Sequence, residues 1–211
     1  MPKLAHALAA AAGNAGGLTF EHFATVQTEG SSVTLPASLE DGDIGVLIIS
    51  GISSQNTALA GWTTISTFNS TFDSYVGYKV LATSDSSTSQ SFLGGNVSYD
   101  STTLLVFRPS KVLTNVYVSD TSFNYTTGVS SVSAACTTYD PPNLVIAYSA
   151  AYPNPPAINE GYWTTATTPN NTNNQMFTYY IIDDENTTRS VTQSADYGSY
   201  NRTFITCING D

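Results

Sequence analysis

Catalysis in this chain would have to start from its carboxylates. Asp41, Asp43, Asp73, Asp183, Asp184 and Glu185 are the acidic candidates, and nearly all stand among turn-forming residues. Glycoside hydrolysis needs two carboxylates facing each other across a cleft, one to protonate the leaving oxygen and one to act as base or nucleophile. Asp41-Gly42-Asp43 and Asp183-Asp184-Glu185 would also offer hard oxygen ligands to calcium, but neither follows the EF-hand pattern. Turns select Asp and Asn for backbone reasons, so the expectation is turn residues, with no catalytic set and no bound metal or cofactor. The two histidines, His6 and His22, come early in the chain and lack the flanking signature of a nucleophile triad. Gly-x-Ser-x-Gly, P-loop and dinucleotide-type glycine patterns are absent from the sequence.

A second chemistry to weigh is sugar binding. Exposed aromatic rings stack on pyranose faces, and the chain holds 13 tyrosines and nine phenylalanines. Tyr152, Tyr162, Tyr197 and Tyr200 fall in or near segments rich in turn residues, which makes them the candidate glycan contacts. Most aromatics in such a chain pack instead, because they are strand formers and large core fillers.

The elements that must carry these residues are strands. Charged residues make up 10% of the 211 residues, and Ser, Thr, Asn and Gly take their place. Exposed helices rely on Glu, Lys, Arg and Ala, whereas Thr and aromatic residues favour strands. Six basic residues stand against 16 acidic ones, for a net charge of −10. Such a surface argues against nucleic acid as a partner and is repelled by anionic membranes. No apolar run approaches the roughly 20 residues of a membrane-spanning helix.

Short apolar runs are bounded by turn chemistry throughout. Expected strands cover 18–30, Ser32–Pro36, Ile44–Ile49, Trp62–Phe68, Ser74–Leu81, Gln90–Leu93 and Thr103–Arg108, with strand-like residues again at Val116–Val118 and Phe123–Tyr125. Ile44–Ile49 is apolar on both faces, as a central buried strand should be. Cys136 and Cys207 have small or apolar neighbours at period two, and the expectation is two buried thiols, with a strand-to-strand disulfide as the alternative.

The same order of runs occurs twice, over about 31–108 and 130–208. Asp43-Ile44-Gly45-Val46-Leu47-Ile48 is matched by Asn143-Leu144-Val145-Ile146-Ala147-Tyr148, and Gly61-Trp62-Thr63 by Gly161-Tyr162-Trp163-Thr164. Val76, Tyr78 and Val80 are set against Phe177, Tyr179 and Ile181 in phase, and Thr103–Arg108 against Thr203–Ile208. The expected fold is all-β: an antiparallel two-sheet sandwich, jelly-roll-like, built from two pseudo-repeats within 21–211. Two tandem small sandwiches are the alternative. Residues 1–20 form an N-terminal arm, with an Ala- and Leu-rich helix candidate at 3–12 ended by Gly13-Asn14-Ala15-Gly16-Gly17. A helix that short is marginal alone, so it is expected to anchor the sandwich to something, with Leu4, Leu8 and Phe20 as the apolar contacts.

The series Ser32-Val33-Thr34-Leu35-Pro36, Gly42-Asp43-Ile44-Gly45-Val46-Leu47, Gly61-Trp62-Thr63, Gly77-Tyr78-Lys79-Val80 and Leu104-Leu105-Val106-Phe107-Arg108 resembles β-sandwich proteins of tailed-phage genomes. The opening Leu8-Ala9-Ala10-Ala11-Ala12-Gly13-Asn14-Ala15-Gly16-Gly17 is similar to the starts of some marine phage virion proteins. The resemblance covers most of the chain, most strongly 31–108, and transfers no catalytic residue. It implies a non-enzymatic virion structural protein on the particle surface, assembled in the host cytoplasm: a capsid decoration (cement) protein or a tail or fibre component. The implied partners are major capsid or tail proteins and further copies of the chain as a homo-oligomer. Few Lys and Arg also leave few sites for trypsin-like proteases, which suits a displayed protein. The reading from a different class is a carbohydrate- or receptor-binding module that takes a host surface glycan on its aromatic loops.

Overall fold

The computed structural model describes residues 18–30, 32–51, 59–68, 73–92, 101–127, 131–138, 141–152, 157–158, 160–168, 175–194 and 200–211. The first half contains β1 (Phe20–Thr28), β2 (Ser32–Thr34), β3 (Ile44–Ser50), β4 (Thr63–Phe68), β5 (Ser74–Val80), β6 (Ser89–Ser91) and β7 (Ser101–Pro109). The second contains β8 (Val116–Thr127), β9 (Ser131–Thr137), β10 (Asn143–Tyr152), β11 (Ala157–Ile158), β12 (Thr164–Thr167), β13 (Gln175–Asp183), β14 (Thr188–Ser194) and β15 (Tyr200–Gly210). The helical element among the described residues is one 3-10 turn, Thr83–Asp85.

All pairings are antiparallel. The first half makes a five-stranded sheet in the order β1-β7-β3-β5-β4 and a two-stranded sheet, β2-β6. The second half makes a five-stranded sheet in the order β12-β13-β10-β15-β8 and a three-stranded sheet, β11-β14-β9. Counted from β8, the second large sheet reads β8-β15-β10-β13-β12, which places its strands as β1-β7-β3-β5-β4 places the first.

The sheets stack in four layers. The central layer lies between the two large sheets, where Ile44, Val46, Ile48, Leu105 and Phe107 meet Leu144, Ile146, Tyr148, Phe204 and Ile208. The outer face of the first large sheet is covered through Val33, Leu35, Leu47, Trp62, Leu104 and Val106. That of the second is covered through Ala134, Cys136, Val145, Ala147, Val191 and Ile205. So β3 and β10 are buried on both faces, as their unbroken apolar runs require. Each fully buried aliphatic side chain contributes roughly 1.5–3 kcal/mol; Ile48→Ala would forfeit that and leave a cavity. The expected sandwich is present as the central pair of large sheets, and each of them is also one wall of a smaller sandwich.

Three details differ from the sequence reading. First, strands outside 31–108 and 130–208 complete the two large sheets. β1 pairs with β7, and β8, which the sequence showed only as a strand-like linker, pairs with β15 along its length. Second, the phase match between β5 and β13 is off by one residue. Val76 and Tyr78 face the central layer, whereas Phe177 and Tyr179 face outward and Tyr180 faces inward. Opposite Val46 stands Tyr78, and opposite Ile146 stands Tyr180, so Tyr78 corresponds to Tyr180. A one-residue slip exchanges the faces of a strand, and the unbroken run Tyr179-Tyr180-Ile181-Ile182 hid it. The same slip affects β15, where Ile205 faces outward and Leu105 inward. Third, Cys136 and Cys207 form a disulfide, not two separate thiols. It fastens β9 of the outer sheet to β15 of the large sheet.

Each tryptophan lies beside the outer sheet of its own half. Trp62 is buried against the first half's outer sheet, and its Nε1 donates to Gln90 Oε1 of β6 at 3.5 Å. Trp163 is buried in the second half, and its Nε1 donates to Ser190 O of β14 at 3.0 Å.

Candidate functional site

Two of the carboxylates singled out by sequence, Asp43 and Asp183, are held in place by arginines. Asp43 is buried at the start of β3. Its Oδ1 accepts from Arg108 Nε at 2.9 Å and its Oδ2 from Arg108 Nη2 at 2.9 Å. Oδ2 also accepts from the Glu40 amide. Arg108 further donates to Glu40 Oε1 and to Ser38 O, and its guanidinium lies 4.3 Å from the Phe23 ring centroid. These contacts, the Asp43 hydrogen bonds first, hold Arg108 above the usual arginine range. In the second half Asp183, buried at the end of β13, accepts from Arg189 Nε at 2.6 Å and Nη2 at 3.0 Å. Arg189 lies over the Tyr162 ring at 5.3 Å. Bidentate pairs of this kind fix the geometry of both partners, and the Asp183–Arg189 pair fastens β14 onto the large sheet. Asp41 accepts from the Thr83 amide at 2.7 Å, and that bond holds its carboxyl below the usual range. Among the described residues no group of three or more His, Cys, Asp or Glu side chains is arranged to hold a metal ion.

The aromatic candidates separate to opposite ends. Tyr152 and Tyr200 are cross-strand partners on β10 and β15, at the end of the large sheet where the polar residues Ser149 and Asn201 also lie. Tyr162 stands near the other end, beside Thr164, whose partner is Tyr180 opposite Ile146. Six residues of strand, roughly 20 Å, lie between those registers. Tyr162 is 43% exposed, but its hydroxyl donates to Ser190 O at 2.8 Å and accepts from the Ser190 amide at 3.0 Å. It therefore pins β14. Tyr197, Leu4 and Leu8 lie outside the described residues. Phe20 is buried in β1 opposite Pro109, in the core between the two large sheets.

These placements give the molecule two distinct ends. At one, which we call the crossover end, three parts of the chain converge. The Thr19 amide donates to Ser110 Oγ, and the Ser110 amide to Thr19 O. Residues 110–115 cross from β7 to β8. Leu113 drops onto Gly210 and packs in the central layer. The Asp211 carbonyl accepts from the Thr114 amide at 2.6 Å. Val112 rests against Gly42, a residue with φ of +99° that a side chain would strain. A cleft of about 180 Å³ opens here, lined by Glu40, Asp41, Asp43, Arg108, Lys111 and Val112 among others.

At the opposite end the central layer turns polar. Arg202 is fully buried on the face that carries Tyr148 and Phe204, and its Nη1 donates to Asp73 O at 3.5 Å. Burial lowers Arg202, while Tyr148, Tyr125 and Asp73 act to keep its charge. Burial also pushes the Tyr148 hydroxyl up to about 12, against the pull of Arg202 and Ser74. Arg202 was not singled out from the sequence, although it shares period-two phase with Phe204 in a buried strand. Between β8 and β9, on this side, lies a cleft of about 360 Å³ lined by Asn124, Tyr125, Thr126, Ser131, Val132 and Ser133.

Histidine serves packing. His22 on β1 stacks on Tyr180 of the other large sheet at 4.7 Å and meets Phe107 edge-on at 5.5 Å. Burial lowers its pKa.

No protein-family model, curated protein or solved structure matches this chain.

Proposed function

We propose that this chain is a non-enzymatic structural protein of a tailed-phage particle, displayed on the capsid or tail and attached through its N-terminal segment. The observation that carries this reading is how the reactive side chains are used. Asp43, Asp183, Arg108, Arg189, Tyr162 and both cysteines all join one layer or turn of the sandwich to another. A protein that spends its ionic and aromatic groups on holding four β layers together is suited to persistence outside a cell. The acidic, charge-poor surface suits many copies crowded on one lattice. The parallel strand orders of the halves support two copies of one jelly-roll-like unit fused in a single chain.

The test is attachment. Chain lacking residues 1–17 keeps buried Leu18 and all of β1, and is expected to fold and to be missing from purified particles. Normal particle occupancy by that shortened chain would refute the anchoring role.

A second reading, a glycan- or receptor-binding module, draws support from the cleft between β8 and β9. Its size fits a small ligand, it is rich in hydroxyl and amide groups, and it shares an end with Tyr152 and Tyr200. Glycan-array binding that is lost on Thr126→Lys would support that reading.

A further inference from the structure

The exposed apolar residues are not scattered. Val112 is 72% exposed, Val80 47%, Tyr117 41% and Ile182 38%, and all four lie at the crossover end. Val112 sits on Gly42, and the Gly42 amide donates to Leu81 O, next to Val80. Tyr117 pairs with Asn209, two residues from Asp211. Ile182 pairs with Leu144, which also pairs with Ile208. Val80 and Ile182 stand opposite Ile44 and Leu144, so the two halves place an exposed aliphatic residue at the same register. The connection over 110–115 buries Leu113 while leaving Val112, its neighbour, in solvent. Exposed charge at this end is one-sided. Glu21, Glu40, Asp41, Asp184, Glu185 and Asp211 are exposed acids, and the exposed base among the described residues there is Lys111.

Apolar groups gathered at one end and ringed by one sign of charge have the anatomy of a contact face, with an apolar centre and a charged rim. We infer that the crossover end is the face that seats on the particle, and that it takes a protein surface carrying an aliphatic socket rimmed by lysine and arginine. This rests on the particle reading above and adds the orientation: the end from which residue 18 emerges faces inward, and the Tyr152, Tyr200 and β8–β9 end faces outward. Charge complementarity selects the partner, since an acidic rim is repelled by another copy of itself and by anionic lipid and is attracted by a basic protein surface. Val112 and Val80 then supply the buried anchors.

The experiment titrates full-length chain onto particles of the same phage that lack it. Val112→Lys with Ile182→Lys places like charge against the basic rim and removes two apolar contacts. It is expected to weaken binding at least about tenfold, with an unchanged melting temperature because both positions are exposed. Glu29→Lys, just past β1 at the other end, is expected to bind as wild type. Wild-type binding is expected to weaken as salt rises from about 50 to about 500 mM. Wild-type affinity in the double variant, or loss on Glu29→Lys alone, overturns this inference while leaving the particle reading in place. Indifference to salt overturns the basic rim. A dimer in light scattering that Val112→Lys dissociates, with particle binding intact, assigns the face to a second copy and overturns it too. Wild-type chain that neither binds nor occurs on particles overturns the particle reading, and this one with it.

Discussion

Removing the Cys136–Cys207 disulfide should loosen one half of the molecule and not the other. The bridge spans 71 positions of sequence. Closing a loop of that size removes unfolded-chain entropy worth about 4 kcal/mol in the chain-entropy account. For a chain of this length that corresponds to a fall in Tm of roughly 10–15 °C. The asymmetry follows from side-chain size. The first outer layer is packed by Val33, Leu35, Leu39, Trp62, Phe92 and Leu104. In the second, the outer sheet's buried residues in the apolar layer are Ala134, Val191 and the Cys136 side of the disulfide, against Val145, Trp163, Tyr179 and Ile205. Small side chains bury less apolar surface, so a covalent tie takes over part of the work there. Cys136→Ala with Cys207→Ala should lower Tm by that amount. In hydrogen exchange, β9 and β14 should lose protection while β2 and β6 keep theirs. A Tm change under about 2 °C, or equal loss of protection in both outer sheets, would refute this reasoning.

Three further outcomes follow from the same contacts. Trp62→Ala and Trp163→Ala should each cost about 3–5 kcal/mol in chemical denaturation, because each removes a buried indole that donates to an outer-sheet strand; a cost near zero at either site contradicts the equivalence of the halves there. Arg189→Ala leaves the buried Asp183 carboxylate without its clamp and should cost about 3–5 kcal/mol, with Arg189→Ala plus Asp183→Asn recovering part of that loss. His22 carries a pKa below its ordinary 6.5, chiefly through burial. The unfolded chain therefore binds the proton more readily, and stability that is full above about pH 6.5 declines as pH falls through the window below it. His22→Gln should flatten that decline in thermal melts taken between about pH 7 and pH 5.

Much of the architecture was legible because strands advertise themselves by period. The expected runs at Ile44–Ile49 and Ser74–Leu81 became β3 and β5, and the two-faced apolar pattern of the first correctly marked a central strand. β8 was harder to see. Its Ser, Thr, Asp and Asn residues break the apolar pattern, and several bond to neighbouring strands (Asp120 accepts from the Thr137 amide, and Asn124 donates to Ser133 O), so only Val116, Val118, Phe123 and Tyr125 marked it as a strand. The phase of β13 was misjudged because Phe177 and Ile181 are as apolar as Met176 and Tyr180, and composition alone cannot say which face is central when both are covered. Four layers, likewise, follow from which sheet covers which, information that strand periodicity does not carry. At the candidate site, the sequence read Asp43 and Asp183 as turn residues, and both stand at strand ends, yet nothing local in sequence joins Asp43 to Arg108, 65 residues away. The convergence of Thr19, Ser110, Val112 and Asp211 at one end is wholly a product of topology.

The most direct test of the proposal that this chain is a virion protein is quantitative mass spectrometry of particles purified from cultures that produce it. The account predicts the chain in every preparation at a fixed ratio to the major shell protein, with hundreds of copies marking capsid decoration and a few to some tens marking the tail or fibres. Absence of the chain from purified particles would contradict it.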